Sequence, residues 1–321
     1  MHGIIQRAFG GPDVLRFEER PELQSAPGQA RIAVLASGVH LLDAGIRSGT
    51  SFGALPKPEL PMVPGREVAG RVDAVGGGVD PAWLGRPVVA HLGAASGGYA
   101  EQALAAAASL HAVPEGLDAA TAVAAIGTGR TAALIVEQVE IRPDDIVLVP
   151  SAAGGLGVLL VQAAKAAGAW IAGLAGSDEK VRIARNAGAD VVVNYRSPGW
   201  AEELERLPRP TLVFDGVGGH VGRVAFELLA EGGRQLVFGW SSGGRNDYSH
   251  PAKTTASLLG PVNAERLRAL EAEALARAAD GSRVPLVGSS FPLASAAEAH
   301  RALEARETYG KIVLLTEGDL A

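Results

Sequence analysis

Apolar and polar positions are arranged in two different ways along this chain. Up to about residue 120, apolar runs are short, such as Ala30–Leu35, Glu67–Val72 and Pro87–Ala90. Turn residues break them at Gly10-Gly11-Pro12, Ala26-Pro27-Gly28, Pro56-Lys57-Pro58 and Gly76-Gly77-Gly78. Strands this short and this closely punctuated predict an antiparallel barrel or sandwich. From Pro143 onward the pattern becomes strand, loop, helix, repeated. Ile146-Val147-Leu148-Val149 is a continuous apolar run, as expected of a strand covered on both faces. A helix over Val158–Ala167 follows, then Trp170–Ala175 with Lys180–Ala187, and Asp190–Asn194 with a short helix near Trp200–Arg206. Leu212–Phe214 with Val221–Ala230, and Gln235–Phe238, complete the series. Five apolar runs with interleaved helices predict a doubly wound parallel sheet.

The remainder reads as a polar stretch from Ser241 to Ser249 and a charged helix from Ala264 to Ala279. Val284–Val287, a helix near Ala294–Ala305 and a last strand at Ile312–Leu315 follow. The expected division is 1–122, 123–258 and 259–321, with the last segment packing back on the first. The stretch between Gly243 and Val262 reads as only weakly strand-like.

Composition narrows the function. With 47% apolar and 20% charged residues the chain is globular, and its formal charge of −6 with a pI near 5.7 argues against nucleic acid or an anionic membrane as partner. It contains no cysteine, which excludes disulfides, thiolate nucleophiles, iron–sulfur clusters and sulfur-ligated zinc. Residues 1–10 lack an apolar signal core, and no apolar run is read as reaching the roughly 20 residues of a membrane helix, so the cytoplasm is the expected compartment.

Ser151-Ala152-Ala153-Gly154-Gly155-Leu156-Gly157 carries the chemistry. It matches the dinucleotide pattern G-x-G-x-x-G with alanine for the first glycine, placed where a buried strand ends and a helix opens. Gly154 lets backbone approach a pyrophosphate, Gly157 lets helix pack on sheet, and the helix amides supply positive charge. The ribose is read about 20 residues on. There the second strand ends in Gly176-Ser177-Asp178-Glu179-Lys180. The strand-end carboxylate expected for NADH is missing, while Ser177 and Lys180 offer a hydroxyl and an ammonium to a 2′-phosphate. Asp178 and Glu179 read as solvated first-turn residues. The expected cofactor is NADPH.

With these residues in hand, the sequence resembles the quinone oxidoreductase branch of the medium-chain dehydrogenase/reductase superfamily. The matches are Pro64-Gly65-Arg66-Glu67-Val68-Ala69-Gly70 with Val75-Gly76, the glycine loop, Asn194-Tyr195-Arg196, Phe214-Asp215-Gly216-Val217-Gly218 and Gly310-Lys311-Ile312-Val313-Leu314, in order. The resemblance implies an α/β fold: a GroES-like β-rich N-terminal domain plus a Rossmann domain, with the active site between them and, commonly, a homodimer. It implies that Gly176, Lys180 and Tyr195 surround the 2′-phosphate and that Thr131 stands beside the nicotinamide. The expected cofactor-binding set is Ala153, Gly154, Gly155, Leu156, Gly176, Ser177, Lys180, Tyr195, Val217, Phe238, Trp240 and Lys311. Tyr195 also reads as an ordinary strand-end aromatic, and Trp240 as core packing.

Zinc alcohol dehydrogenases of the superfamily use a Cys near the position of His40, a His in a Gly-His-Glu motif and a later Cys. Here the motif reads Gly65-Arg66-Glu67, arginine stays charged, and there is no Cys, so no metal site is expected. The resemblance then implies hydride transfer to an already electrophilic acceptor, a quinone or a conjugated enone. An enone reductase for which quinones are incidental and a low-turnover, crystallin-like NADPH binder are the alternatives. Several relatives carry Asn and two Tyr along the segment corresponding to 39–51, where this chain has His40, Gly45 and Ser51. His40 reads either as hydrogen-bond or proton donor to the acceptor oxygen, or as a packed interface residue. Asp43 reads as orienting a loop, and Arg66 with Glu67 as a structural pair.

Overall fold

The computed structural model describes residues 1–50, 57–93, 96–257 and 263–317 of the 321-residue chain. Its contacts divide it into two units, Met1–Gly129 with Glu271–Ala321, and Arg130–Leu270.

The first unit opens with β1 (His2–Gln6), β2 (Leu15–Glu19), β3 (Gln29–Val39), α1 (Leu41–Ser48) and β4 (Glu67–Val75). Then come β5 (Pro87–His91), β6 (Gln102–Ala106), β7 (Leu110–Ala112) and α2 (Ala119–Ala124). The second unit holds α3 (Arg130–Gln138), β8 (Ile146–Val149), α4 (Gly155–Ala166), β9 (Trp170–Ala175), α5 (Asp178–Asn186) and β10 (Val191–Asn194). It continues with α6 (Trp200–Glu205), β11 (Leu212–Asp215), α7 (Gly219–Leu228), β12 (Arg234–Val237) and β13 (Thr254–Ser257). Helix α8 (Ala264–Ala279) spans the division, and β14 (Val287–Pro292), α9 (Ala296–Glu304) and β15 (Lys311–Leu315) return to the first unit.

Among the described residues, the larger sheet of the first unit runs β14-β15-β3-β4-β5-β7, with β6 also paired to β3. Its pairings are antiparallel except β14 with β15. Along β4 and β5 alternation does the sorting, and on β3 a register shift between Val34 and Ala36 moves the even positions from one face to the other. Ile32, Val34, Val68, Val72 and Val88 pack into one cluster, while Ala36, Ala69 and Val89 pack with Ala122, Val123 and Ile126 in another. Strand β15 pairs with β3 from Ile312 opposite Val39 to Leu315 opposite Ala36, which ties the end of the chain to the first sheet.

In the second unit the order β10-β9-β8-β11-β12-β13 is that of a doubly wound sheet, and its pairings are parallel. Val147 and Val149 face a cluster containing Ile135 of α3, Leu160 and Val161 of α4 and Ala184 of α5. Leu148 faces the other side, with Leu204 of α6 and Phe226 of α7. Helices on both faces explain why these strands are apolar without alternation.

Two expectations need correction. Thr254–Ser257 lies in the stretch read as weakly strand-like, yet it forms β13, and its four residues are exposed at the sheet edge. Ladder hydrogen bonds to β12 hold it, and those leave little trace in side-chain hydropathy. The stretch Ala119–Gln138 is 20 residues long and apolar enough to span a bilayer by length and composition, although no such run was read from the sequence. Its apolar window is 67% buried inside the protein, so that character serves core packing.

Candidate active site

In the second unit the expected cofactor residues collect at the carboxyl ends of the parallel strands. Ala153–Leu156 follow β8, Gly176 and Ser177 follow β9, Tyr195 follows β10, Val217 follows β11, and Phe238 and Trp240 follow β12. Ligands of doubly wound sheets bind there, where the strand order reverses, which here is between β8 and β11.

The glycine loop has a defined shape. Ser151 takes the left-handed conformation (φ 59°), so the tight turn falls on a serine at a cost of about 1–2 kcal/mol. Ala152 N–H donates to the Leu174 carbonyl at 2.9 Å, locking the loop onto β9. A Cβ on Gly157 would fall onto the Ser151 carbonyl, which is why helix and turn can close only on glycine. Helix α4 begins at Gly155, three residues before the Val158 read from the sequence, with Gly154 as its N-cap. Gly154 brings no side chain to occupy the first-turn amides, so they remain for an anionic ligand.

At the end of β9, a Cβ on Gly176 would lie 2.5 Å from the Tyr195 hydroxyl, so the glycine makes room for the ring. Ser177 is the N-cap of α5, its Oγ accepting from Lys180 N–H at 3.3 Å. Its hydroxyl is therefore fixed beside the first turn that carries Lys180. Asp178, exposed in that turn, accepts from Asn194 Nδ2 at 3.1 Å. The residues fit a 2′-phosphorylated dinucleotide: an open helix N-terminus for the pyrophosphate, then a hydroxyl and an ammonium beyond the strand end.

The loop after β11 is held by a carboxylate whose role the motif did not reveal. Asp215 is fully buried, and its Oδ1 accepts from Val217 N–H and Gly218 N–H, both at 2.9 Å. Its Oδ2 accepts from Tyr248 O–H at 2.5 Å, and burial with this bond raises the Tyr248 hydroxyl well above the usual tyrosine range. The Phe238 ring lies against Gly216, and Arg245 stacks over Trp240 at 5.0 Å, so Trp240 is half-buried under a cation.

Thr131 is half-buried in the first turn of α3, in the second unit. His40 and Lys311 belong to the first unit. His40 follows β3 as the N-cap of α1; Lys311 opens β15, its side chain 4% exposed. Lys311, expected beside the cofactor, has its Nζ 3.1 Å from Glu67 Oε2 and 2.7 Å from His40 Nε2. His40 Nε2 is also 2.7 Å from that carboxylate oxygen. Glu67 is fully buried, with Gly38 and Gly127 so close that a Cβ on either would overlap its carboxylate. Burial alone would raise the Glu67 carboxyl; His40 and Lys311 outweigh it and hold the group far below the usual range. Arg66 does not pair with Glu67. Arg66, just before β4, has its Nε donating instead to the Gly93 carbonyl at 2.9 Å.

A buried polar chain holds the turn that carries His40. Asp43 Oδ2 accepts from His40 N–H at 2.8 Å and from Tyr99 O–H at 3.2 Å. Tyr99 is within 3.2 Å of His300 Nε2, and Arg47 Nη1 is 3.4 Å from His300 Nδ1. An arginine can only donate, so Nδ1 accepts and Nε2–H faces the tyrosine oxygen. Burial, then Arg47, lowers the His300 imidazole to about 3. Asp43, read from the sequence as orienting a loop, thus holds the backbone at the start of α1. Sequence reasoning missed Tyr99 and His300, which carry no local motif; Gly45 is half-buried in α1, and Ser51 lies outside the described residues.

The donor set does not fit the superfamily's zinc. There is no Cys in the chain, Arg66 replaces the motif histidine, and among the described residues no group of three His, Asp or Glu could hold a metal ion.

Residues 26–115 match the alcohol dehydrogenase GroES-like domain, and residues 155–262 the zinc-binding dehydrogenase family. The quinone oxidoreductase of Pseudomonas aeruginosa is 32% identical over 321 residues, covering 96% of this chain and 97% of its own. The chain belongs to the quinone oxidoreductase branch of the medium-chain dehydrogenase/reductase superfamily. Its fold is accordingly a GroES-like domain with a Rossmann domain. The structure of Escherichia coli quinone oxidoreductase complexed with NADPH has a TM-score of 0.84 at 29% identity, covering 98% of this chain and 100% of that one. A structure described as an NAD-dependent alcohol dehydrogenase has a TM-score of 0.87 at 32% identity, covering 98% and 99%.

Proposed function

We propose that this protein is an NADPH-dependent, metal-free quinone oxidoreductase. The observation that carries the cofactor choice is the end of β9, where Gly176 under Tyr195 leaves no strand-end carboxylate and Ser177 and Lys180 stand in the first turn of α5. Full-length similarity to quinone oxidoreductases supports the acceptor class.

Ala153–Leu156 would hold the pyrophosphate at the α4 N-terminus, and Gly176, Ser177, Lys180 and Tyr195 the 2′-phosphate. Thr131, Val217, Phe238 and Trp240 would take the nicotinamide end. When bound, NADPH supplies a hydride from nicotinamide C4. The chain's own task is to orient the acceptor, exclude water and supply a proton, which we assign to His40. A quinone is electrophilic without a Lewis acid, so the reaction needs none of the ligands this chain lacks. NADPH is a cytosolic reductant, which puts the enzyme in the cytoplasm, and the exposed edge strand β13 offers backbone to a second copy in a homodimer.

The test is NADPH oxidation with 1,4-benzoquinone, 9,10-phenanthrenequinone and a set of small enones. The expected result is turnover with higher kcat/KM for a quinone than for any enone. Faster turnover of enones would make this an alkene reductase; NADPH binding without turnover would make it a cofactor-binding protein.

A further inference from the structure

Two loops of the second unit, 216–219 after β11 and 238–248 after β12, carry Val217 and, on the other side, Phe238 and Trp240. Backbone bonds join them. Ser241 N–H donates to the Gly216 carbonyl at 3.1 Å, Ser242 N–H to the Val217 carbonyl at 2.9 Å, and Gly219 N–H to the Gly244 carbonyl at 2.9 Å. The contact is close enough that a Cβ on Gly218 would overlap the Gly244 carbonyl.

Side chains then lock what the backbone has joined. Asn246 Nδ2 donates to the Gly219 carbonyl and to the Tyr248 oxygen, both at 2.7 Å. A carbonyl only accepts, so the amide presents its nitrogen here, and with one proton on Gly219 its other goes to the Tyr248 oxygen. The tyrosine proton is thereby directed to Asp215 Oδ2 at 2.5 Å, while Oδ1 takes Val217 N–H and Gly218 N–H. Gln235 Nε2, the remaining side-chain donor beside this carboxylate, is 3.4 Å from Oδ2. Gly222 of α7 packs on the Tyr248–Asp215 bond, where a Cβ would overlap the tyrosine oxygen. Arg245, held between the paired Gly244 and Asn246, stacks over Trp240, so the same chain sets that ring.

We propose that Tyr248 and Asn246 are positioning residues that lock the loops after β11 and β12 into one wall for the nicotinamide end of the cofactor. The proposal rests on the NADPH reading. A wall already rigid before binding leaves less side-chain freedom to be lost when the ligand arrives, and it holds the hydride donor in a single place. None of these bonds reaches the glycine loop or the end of β9, which are assigned to the pyrophosphate and the 2′-phosphate. The lock therefore acts on one half of the cofactor, whereas a network that only stabilised the fold would act on both halves alike.

Calorimetric titrations of the full-length wild type and Tyr248→Phe test this, with NADPH and with adenosine 2′,5′-bisphosphate, which carries the 2′-phosphate but no nicotinamide. Tyr248→Phe should weaken NADPH about 10-fold, the cost of re-ordering one or two freed side chains, and leave the bisphosphate within about 2-fold. Hydride transfer to 9,10-phenanthrenequinone in single turnovers should slow by about 10- to 100-fold, the scale of a displacement of up to about 1 Å at the reacting atoms. Asn246→Ala releases Gly219 and Tyr248 but leaves Asp215 its tyrosine, and should give the same split between ligands even if Tyr248→Phe does not fold. Equal losses for the two ligands, or no loss of NADPH in either variant, would overturn the proposal and leave the NADPH reading standing. Wild-type protein that binds neither ligand would overturn the NADPH reading and the proposal with it.

Discussion

His300 makes stability fall with acid in a way that one substitution isolates. The imidazole is fully buried, with Arg47 3.4 Å from Nδ1 and the Tyr99 hydroxyl 3.2 Å from Nε2. Burial and then the arginine lower it to about 3 in the folded protein, against about 6.5 in the unfolded chain. Between those values the unfolded chain binds a proton that the folded protein refuses. Stability from this group is therefore complete above about pH 6.5 and is lost as the pH falls toward 3, at about 1.4 kcal/mol per unit. His300→Gln keeps a donor and an acceptor but does not titrate. Urea unfolding of both proteins should show the wild-type advantage shrinking by about 2.3 kcal/mol between pH 6.5 and pH 4.5. A difference that stays flat to within about 0.5 kcal/mol would refute the assignment of His300 as a buried neutral group.

Three further outcomes are expected. Glu67→Gln leaves Lys311 buried without its counter-charge and should cost about 3–5 kcal/mol by calorimetry near neutral pH. Because the Glu67 carboxyl is held low in the folded state, that cost is fully present above about pH 4.3 and shrinks below it; a cost under about 1 kcal/mol would contradict the cluster. Gly127→Ala would put a Cβ inside the Glu67 carboxylate and should destabilise by about 3 kcal/mol or abolish soluble expression, while an unchanged melting temperature would show that the packing is wrong. Lys180→Ala should weaken NADPH by about 1.5–3 kcal/mol, roughly 10- to 150-fold, with little effect on NADH in calorimetric titrations; equal losses for both would remove Lys180 from the 2′-phosphate.

The parallel sheet was legible because its strands are buried on both faces. Val147, Leu148 and Val149 are apolar without a break, and each β-run is closed by a turn and a helix. The residues proposed for the cofactor collect at the strand ends for the same reason, since they follow those ends in sequence and a local pattern is enough to place them there. Strand β13 was not legible: exposed Thr254–Ser257 pairs through backbone alone. The buried chain through Asp43, Tyr99 and His300 was invisible for a different reason. Its members are separated by 56 and 201 positions, and nothing in a local window marks a polar side chain as buried. Lys311 shows both sides. Its motif was recognised from sequence, yet its partners His40 and Glu67 lie 271 and 244 residues away and only the pairing of β15 with β3 reveals them.

The central claim is that this chain transfers hydride from NADPH to a quinone without zinc. It is tested most directly by NADPH oxidation with 1,4-benzoquinone after exhaustive dialysis against EDTA. The account predicts full activity, unchanged by added zinc. Activity that disappears on dialysis and returns with zinc would contradict it, as would NADPH binding with no quinone turnover under either condition.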